Sequence, residues 1–418
     1  MTLPAAAFDP MSIRSRFPAL GRTLNDRAVI FADGPGGTQV PREVISAMAE
    51  YLQCSNANTG GPFVTSQETV AVVSQARISA ALLLNADPQE IVFGQNMTSL
   101  TFSMSRALSR TWKAGDEIVV TALDHDANVA PWMLAAQDRG LTVRVVPFDQ
   151  HCSVSLPALQ AALSPRTRLV ALGYASNAVG SIVDLPPLIA AAHAVGALVY
   201  VDAVHFAPHG LIDVQALGCD FLACSAYKFC GPHLGILYGR RQLLESLTAY
   251  KVRPSTLVGP GKWETGTQNF EALAGLRACI DYFSSLGGDT LGPAPATRPR
   301  LASALQRIRD HERELSQRFL VGVGTIPGIR VLGLPLPEQA ALRTPTFGIT
   351  CARISPRQAN EQLAQQGIFC WDGHFYAKGF VDQLQLAEHG GVLRIGFAHY
   401  STLQEVDQVL HALRNFSP

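Results

Sequence analysis

Two side chains suited to covalent and acid–base chemistry follow apolar runs near the middle of the chain. Asp202 ends the run at 198–201, and Lys228 follows a second run that ends at Ser225. Apolar runs of this length that stop at polar residues are typical of buried parallel strands whose ends open into a site. A third run, at 235–238, is predicted to be a strand of the same kind. The spacing therefore predicts that a carboxylate and an amine meet at one edge of a sheet.

A helix start with hydroxyl side chains lies upstream of this pair. Residues 91–93 form a predicted strand, and Thr98 and Ser99 then open a helix that runs to about Arg110. A helix N-terminus is suited to a phosphate because its N–H groups are free. A lysine amine forms a Schiff base with an aldehyde, and a carboxylate keeps a pyridinium nitrogen protonated. Together, the amine, the carboxylate and the helix start could bind the aldehyde, the pyridine nitrogen and the phosphate of pyridoxal 5′-phosphate.

Other polar side chains are predicted at the same edge. His125 follows a strand at 118–122 and could lie flat on a cofactor ring, while Ser225 and Tyr227 could add hydroxyls to its phosphate. Each of these residues taken alone has an ordinary structural explanation, such as a helix cap or an ion pair. Jointly they favour a site, because all of them fall at predicted strand ends: Thr98, His125, Asn177, Asp202, His205, Ser225 and Lys228.

Strands and helices alternate from residue 117 to residue 202. This pattern predicts an α/β fold with a mostly parallel sheet, helices on both faces and a site at the carboxyl ends of the strands. A glycine-rich loop at 251–269, a helix at 270–286 and a proline-rich hinge at 287–300 follow. We therefore expect a large domain at 40–290. A smaller α+β domain is expected from 1–39 and 291–418, including one strand at 368–371.

The composition excludes several classes of partner. The chain has 33 basic and 33 acidic residues among 418, so no overall field attracts nucleic acid or an anionic membrane. The most apolar window, 185–204, is interrupted by prolines and polar residues and fits a buried helix and strand better than a membrane span. No signal-peptide core is visible at 1–20, so a cytoplasmic location is expected. Eight cysteines without a CxxC pair indicate reduced thiols, and no metal site is predicted.

Four segments resemble the class V aminotransferase family, in its branch of cysteine desulfurases and selenocysteine lyases. They are VDAVH at 201–205, SAYK at 225–228, TGTQN at 265–269 and LRIGF at 393–397. The resemblance extends from about residue 31 to the last helix. It implies pyridoxal-phosphate fold type I, with a seven-stranded, mostly parallel sheet between helices and a smaller domain.

The resemblance also implies roles for the cofactor residues. Lys228 would be the Schiff-base lysine and proton carrier, and Asp202 would face the pyridine nitrogen. His125 would stack on the ring and act as a second catalytic residue that shuttles protons. His205 stands where the family usually has a glutamine that contacts the ring oxygen. The phosphate would be held by Thr98, Ser99, Ser225, Tyr227 and, from the neighbouring subunit of a homodimer, Thr267.

On the substrate side, the resemblance implies that Asn177 and Arg394 clamp the α-carboxylate of an amino acid. A guanidinium suits this task because it presents a planar, bidentate fork. Gly36 and Tyr376 are assigned to the same side of the site. Tyr376 stands where we would align the family's nucleophilic cysteine, and Cys370, six positions earlier, is the nearest thiol in the sequence.

The missing thiol leaves the reaction open. We expect a desulfurase-like enzyme that cleaves a C–S or C–Se bond, with or without a persulfide on Cys370 and a sulfur-acceptor protein. Transamination, epimerisation or another β-elimination are the alternatives. A nicotinamide-dependent oxidoreductase has less support because no GxGxxG opens a first helix. A non-catalytic regulator would keep the fold, although the chain carries no appended DNA-binding module.

Overall fold

The computed structural model describes residues 8–287 and 295–416 of the chain. The helices in these ranges are α1 (Met11–Arg14), α2 (Arg42–Cys54), α3 (Val64–Leu84), α4 (Met97–Ser109), α5 (Ala130–Arg139), α6 (Leu156–Ala162), α7 (Leu185–Ala194), α8 (Val214–Leu217), α9 (Arg241–Ser246), α10 (Phe270–Ser285), α11 (Arg298–Val323), α12 (Pro356–Gln365), α13 (Lys378–Gln383) and α14 (Leu403–Leu413). None of the helices in the described ranges is long and apolar enough to cross a lipid bilayer.

The strands in the same ranges form one large sheet, one smaller sheet and two short ribbons. They are β1 (Thr23–Leu24), β2 (Arg27–Ala28), β3 (Ile30–Phe31), β4 (Ile91–Gly94), β5 (Glu117–Thr121), β6 (Thr142–Val146), β7 (Thr167–Gly173), β8 (Leu198–Asp202), β9 (Phe221–Ser225), β10 (Gly235–Gly239), β11 (Ile329–Val331), β12 (Thr346–Cys351), β13 (Ile368–Phe369), β14 (Trp371–Gly373) and β15 (Val392–Gly396).

The large sheet has seven strands in the order β4-β10-β9-β8-β7-β5-β6. Every strand runs in one direction except β10, which is antiparallel to both of its neighbours. The predicted α/β fold with a mostly parallel sheet is confirmed, but the prediction that 235–238 is a parallel strand is wrong. The chain returns from β9 to β10 through residues 226–234, which is too short for the crossover that a parallel neighbour requires.

The central strands are buried on both faces, which explains why their sequences are apolar almost without interruption. In β8, Val199 and Val201 contact one hydrophobic core, whereas Tyr200 between them contacts the core on the other face. Helices α2, α3 and α10 cover the first face, and α4 and α5 cover the second. The polar residues that end these strands therefore lie at the rim of a rigid, two-sided core.

A smaller lobe contains the antiparallel sheet β11-β12-β15-β14 and a core of its own. Strand β13 pairs in parallel with β3, so the beginning of the described chain joins its C-terminal part. The predicted single strand at 368–371 is wrong. Phe369 pairs with Phe31 whereas Trp371 pairs with Arg394, because the chain changes sheets at Cys370. The proposed boundary at 290 lies outside the described residues, and the division into domains stays a prediction.

Candidate active site

A cavity of about 870 Å³ lies where the ends of β5, β7, β8 and β9 meet the start of α4 and the edge of the smaller lobe. Its size is that of a site for a cofactor with its substrate. Most of the predicted site residues line it together: Gly36, Thr98, His125, Asn177, Asp202, His205, Ser225, Tyr227, Lys228, Tyr376 and Arg394. Ser99 and Thr267 do not line it.

Lys228 lies in a short 3₁₀ turn directly after β9, and its Nζ donates a hydrogen bond to the carbonyl oxygen of Pro35. Burial, helped by the positive charge of Arg394, lowers the pKa of Lys228 to about 7, while the charge of Asp202 opposes this shift. A lysine with such a pKa is partly a free amine at neutral pH. It is therefore suited to attack a carbonyl carbon and to accept a proton.

Asp202 ends β8 and lies in the wall of the same cavity. The N–H of Val204 donates to its Oδ1 at 2.9 Å. Burial, with a smaller contribution from nearby Asp124, raises the pKa of Asp202 to about 7, although the Val204 hydrogen bond and the charge of Lys228 oppose the shift. The ionised form of such a buried carboxyl group is stabilised by a partner that carries a positive charge or donates a proton. A pyridinium nitrogen is a partner of this kind.

Asp124 is a buried residue of this wall that the sequence analysis missed. Its carboxylate accepts from the hydroxyl of Thr121 at 2.7 Å, the amide of Asn128 at 2.7 Å and the N–H of Gly173 at 2.9 Å. These bonds fix the loop between β5 and His125. The sequence carried a signal for it, because Asp124 directly precedes His125 and lies three residues after the end of β5.

His125 presents a neutral ring to the cavity. Its Nδ1 accepts the N–H of Ala127 at 3.0 Å, which leaves the proton on Nε2. Burial, and then the charges of Lys228 and Arg394, lower the pKa of His125 to about 4. The ring also stacks on Tyr376, with centroids 5.4 Å apart. His125 is therefore placed as a stacking group and hydrogen-bond donor rather than as an acid at neutral pH.

Helix α4 begins at Met97 with Asn96 as its N-cap, so the helix starts before the predicted Thr98 and Ser99. Asn96 Oδ1 accepts the N–H of Ser99 at 2.8 Å, and the Ser99 hydroxyl closes the reciprocal bond. Asparagine caps as well as serine does, which the sequence analysis overlooked. The Ser99 hydroxyl is thus used within the cap, and a role in phosphate binding stays a prediction. Ser225 Oγ accepts the N–H of Met97 at 2.9 Å, which joins β9 to the helix start.

Arg394, on β15, is buried at the opposite side of the cavity. Its Nη1 donates to the carbonyl oxygen of Asn177 at 2.9 Å, and its Cζ lies 4.0 Å from the centroid of the Phe375 ring. Burial lowers the pKa of Arg394 to about 9, so the group remains a cation at pH 7. Within the described chain, the buried Arg394 Nε and Asn177 Oδ1 have no hydrogen-bond partner. This free donor and free acceptor suit the carboxylate and the amine of an amino acid.

The loop after β3 borders the cavity near Arg394. Burial raises the pKa of Asp33 to about 6, and the charge of Arg394 opposes the shift. A Cβ on Gly36 would lie 2.5 Å from Nε1 of Trp371, so glycine is required for the indole to cover the loop.

Residues 374–377, here called the cap segment, stand where the family's nucleophilic cysteine was expected. Phe375 and Tyr376 both have left-handed backbone conformations, with φ of 52° and 58°. Two hydrogen bonds join them to the large sheet's loops: Asn177 Nδ2 donates to Phe375 O at 2.9 Å, and the N–H of Asp126 donates to Tyr376 O at 2.7 Å. Consecutive strained residues persist only where surrounding contacts hold them. The cap segment is therefore fixed against the cavity, with Tyr376 67% exposed at its mouth.

None of the eight cysteines, all of which fall in the described ranges, lines the cavity. Cys370 is buried, and its Sγ lies 3.2 Å from Oδ1 of Asn360. Burial raises the pKa of Cys370 to about 12. Because the thiolate is the nucleophilic form, this thiol is poorly suited to accept sulfur.

The remaining predicted residues occupy the following places. Nε2 of His205 lies 3.1 Å from the hydroxyl of Thr344, and Tyr227 stacks on His233 with centroids 4.9 Å apart. Thr267 is exposed in the loop before α10, away from this cavity, so a contact with a neighbouring subunit stays a prediction. Within the described ranges, no group of three or more histidine, cysteine, aspartate or glutamate side chains could hold a metal ion.

The cavity fits pyridoxal 5′-phosphate in its three chemical requirements. Lys228 supplies an amine with a lowered pKa, and Asp202 supplies a buried carboxyl group. The start of α4, with the Thr98 and Ser225 hydroxyls, supplies donors for a phosphate.

Comparison with known proteins agrees with this fit. The sequence matches the family described as aminotransferase class-V over residues 30–294 and 300–409. It is 31% identical to "Aminotransferase-like protein FGM3" of Gibberella zeae, over 98% of this chain and 99% of that protein. It is 30% identical to a "Probable cysteine desulfurase" of Streptomyces coelicolor, over the whole of both.

A solved structure has the same fold. The cysteine desulfurase CsdA of Escherichia coli superposes with a TM-score of 0.83 at 27% identity, over 98% of each chain. The chain therefore belongs to the class V aminotransferase family and is a pyridoxal 5′-phosphate-dependent enzyme.

Proposed function

We propose that the protein cleaves a C–S or C–Se bond at the β-carbon of an amino acid and releases the sulfur or selenium directly, without passing it to a protein thiol. One observation carries this proposal: a cavity equipped for an amino acid contains no cysteine. The names of its relatives support the bond type, since several are described as cysteine desulfurases. FGM3, described only as aminotransferase-like, keeps transamination as the alternative.

Substrate binding follows from the buried groups at the smaller-lobe side. The α-carboxylate pairs with the guanidinium of Arg394, whose free Nε can donate to it. Phe375 covers one face of that guanidinium, which confines the carboxylate to the edge of the plane. The free Oδ1 of Asn177 can accept an N–H from the substrate. These contacts orient Cα and Cβ relative to Lys228.

The proton steps follow from the state of Lys228. As a free amine, Lys228 takes the proton from Cα, and its burial keeps water from competing. When bound, pyridoxal phosphate supplies the electron sink that makes this proton acidic. The ammonium form of Lys228 then returns the proton to the leaving sulfur as the C–S bond breaks. Addition of water balances the reaction, so that an S-substituted cysteine gives a thiol, pyruvate and ammonia.

The assembly is part of the proposal. A second copy of the chain would bring Thr267 to the phosphate, as the family resemblance implies. The exposed position of Thr267 is compatible with that contact. A sulfur-acceptor protein is not required for direct release, and a cytoplasmic location stays a prediction.

Product analysis tests the proposed reaction. The holoenzyme is incubated with cysteine, selenocysteine and S-substituted cysteines, and the products are identified by mass. Pyruvate and a free thiol, sulfide or selenide are expected in equal amounts. Alanine as the product would contradict direct elimination, and a 2-keto acid that retains the sulfur substituent would indicate transamination.

The role of the thiols is tested by two substitutions. Cys370→Ser should leave the turnover rate unchanged, because the buried thiol lies outside the cavity. Cys54→Ser, which alters an exposed thiol, is the matched control for non-specific effects. Loss of turnover in Cys370→Ser alone, with the protein still folded, would restore a persulfide step.

A further inference from the structure

The Tyr376 side chain in the cap segment is 67% exposed and yet held in place. Its carbonyl oxygen accepts the N–H of Asp126 at 2.7 Å, and its own N–H donates to Nδ1 of His374 at 3.0 Å. One face of its ring stacks on His125, with centroids 5.4 Å apart and planes inclined by 29°. The mouth of the cavity therefore carries a fixed aromatic ring, most of whose surface the described chain leaves uncovered.

Tyr376 lies between two groups that an amino-acid substrate is proposed to contact. On one side, its neighbour in the sequence, Phe375, lies against Arg394, with the guanidinium carbon 4.0 Å from the ring centroid. On the other side is His125, which lines the cavity together with Lys228. A substrate held by its carboxylate at Arg394 and reacting at Lys228 is therefore placed next to the Tyr376 ring.

The two ends of the cavity differ in exposure. Asp202 and His205 line the cavity and are buried, so the sheet end is closed to solvent. Trp371 also lines the cavity but is 51% exposed, and its indole packs over the backbone of Gly36. Because the cofactor is proposed to occupy the closed end, a long group on the substrate's Cβ has room only toward the mouth and its aromatic rings.

We propose that Tyr376 is a specificity-determining residue whose ring binds the group carried on the substrate's sulfur, and that this group is aromatic. Stacking favours a flat ring, and burial of the uncovered surface adds to it. The sulfur of free cysteine carries no group that could cover this surface. The inference rests on the proposed cleavage of a C–S bond, and it narrows the substrates to cysteine conjugates with an aromatic substituent on sulfur.

A pair of conjugates tests the role of the ring. The holoenzyme is assayed with S-benzylcysteine and S-methylcysteine, and the readout is the ratio of their kcat/KM values. Because the two thiols differ as leaving groups, the change in this ratio between variants is what matters. Tyr376→Ala, which removes the ring without placing a glycine at a left-handed position, should lower the ratio about 10-fold. Tyr376→Phe keeps the ring and should retain the wild-type ratio.

Tyr250→Ala is the matched control, because Tyr250 is a 49% exposed tyrosine that does not line the cavity. Its ratio should equal that of the wild type. An unchanged ratio in Tyr376→Ala would overturn the proposal. An equal fall in Tyr376→Phe and Tyr376→Ala would also overturn it, because the effect would then belong to the hydroxyl group rather than to the ring.

Analogues that cannot be cleaved separate this inference from the proposed reaction. Replacing sulfur by a methylene group turns S-methylcysteine into norvaline and S-benzylcysteine into its phenyl-bearing counterpart. Titrations followed by the absorbance of the bound cofactor should show about 10-fold tighter binding of the phenyl analogue, and Tyr376→Ala should lose this difference.

The two kinds of failure are distinguishable. If the phenyl analogue binds more tightly but no cysteine conjugate is cleaved, the proposed reaction is wrong and the binding role of the Tyr376 ring stands. If conjugates are cleaved and neither the rates nor the binding of the analogues favours the aromatic group, the proposed reaction stands and the role of Tyr376 is overturned.

Discussion

The two sides of the cavity are built in different ways. On the sheet side, Asp202 ends β8 and Lys228 lies in the turn after β9, and the residues of these two strands are buried except for the half-buried Leu198. On the lobe side, Phe375 and Tyr376 belong to a strained segment held by two hydrogen bonds and ring contacts. In the proposed reaction, the sheet side holds the cofactor and the lobe side holds the substrate. Under this proposal, the cofactor is held by strand ends of the rigid core, whereas the substrate meets a segment whose position depends on a few contacts.

Removing the lysine tests the sheet side most severely. Lys228→Ala should lower turnover by about 10³-fold or more, because no other described amine lines the cavity to take the α-proton. Exchange of the substrate's α-hydrogen for deuterium should fall in parallel. A folded variant that kept this exchange would remove Lys228 from the proton step.

Removing the guanidinium tests the lobe side. Arg394→Gln should raise KM for amino acids by about 100-fold, the loss expected for charge-assisted hydrogen bonds to a buried carboxylate. The absorbance of the bound cofactor should persist. Arg394→Lys, which retains the charge without the fork, should have an intermediate KM. An unchanged KM would mean that the carboxylate binds elsewhere.

A substitution in the cap segment, with a smaller expected effect, tests the contribution of Phe375 separately from that of the Arg394 guanidinium. Phe375→Leu should raise KM about 5-fold with little change in kcat, because a cation–π contact at 4.0 Å is lost while the charge remains. Phe375→Tyr should restore the wild-type KM, since it keeps the ring. If kcat fell instead of KM rising, Phe375 would act on the reaction step rather than on carboxylate binding.

The smallest expected effect links the two sides through charge. In the cofactor-free protein, attachment of pyridoxal phosphate to Lys228 should accelerate as the pH rises through about 7, because only the free amine reacts. Arg394 lowers this pKa, so Arg394→Gln should move the midpoint upward by about half a pH unit. Stopped-flow absorbance measures the rate. A midpoint that did not move would show that the two sides are electrically independent.

The difference between the two sides of the cavity also explains which site residues could be predicted from the sequence. The positions of Lys228 and Asp202 were predictable because the end of a buried strand is visible in the sequence as a change from apolar to polar residues. Asp124 carried that signal and was overlooked. The cover that Phe375 places on Arg394 could not be predicted, because it depends on a contact between distant segments and on backbone angles that no local pattern encodes.

The errors in the fold have the same origin. The reversal of β10 depends on the length of one loop, and the interruption at Cys370 depends on which sheet each neighbouring residue joins. Apolar periodicity identifies a strand but does not determine its partner. The cap of α4 is different in kind, since Asn96 was visible and only the choice between adjacent cap-forming residues was wrong.

The pairing of β3 with β13 has a consequence for biosynthesis. Ile30 can pair with Ile368 only after Ile368 has been synthesised. This happens roughly 340 residues later, or about half a minute at ordinary rates of translation. Arg14 likewise meets Glu405 only near the end of synthesis. The large sheet has all of its strands before either contact is available. In a nascent chain, the strand ends that carry Asp202 and Lys228 would therefore face solvent. They would become covered only when the last part of the polypeptide forms the smaller lobe.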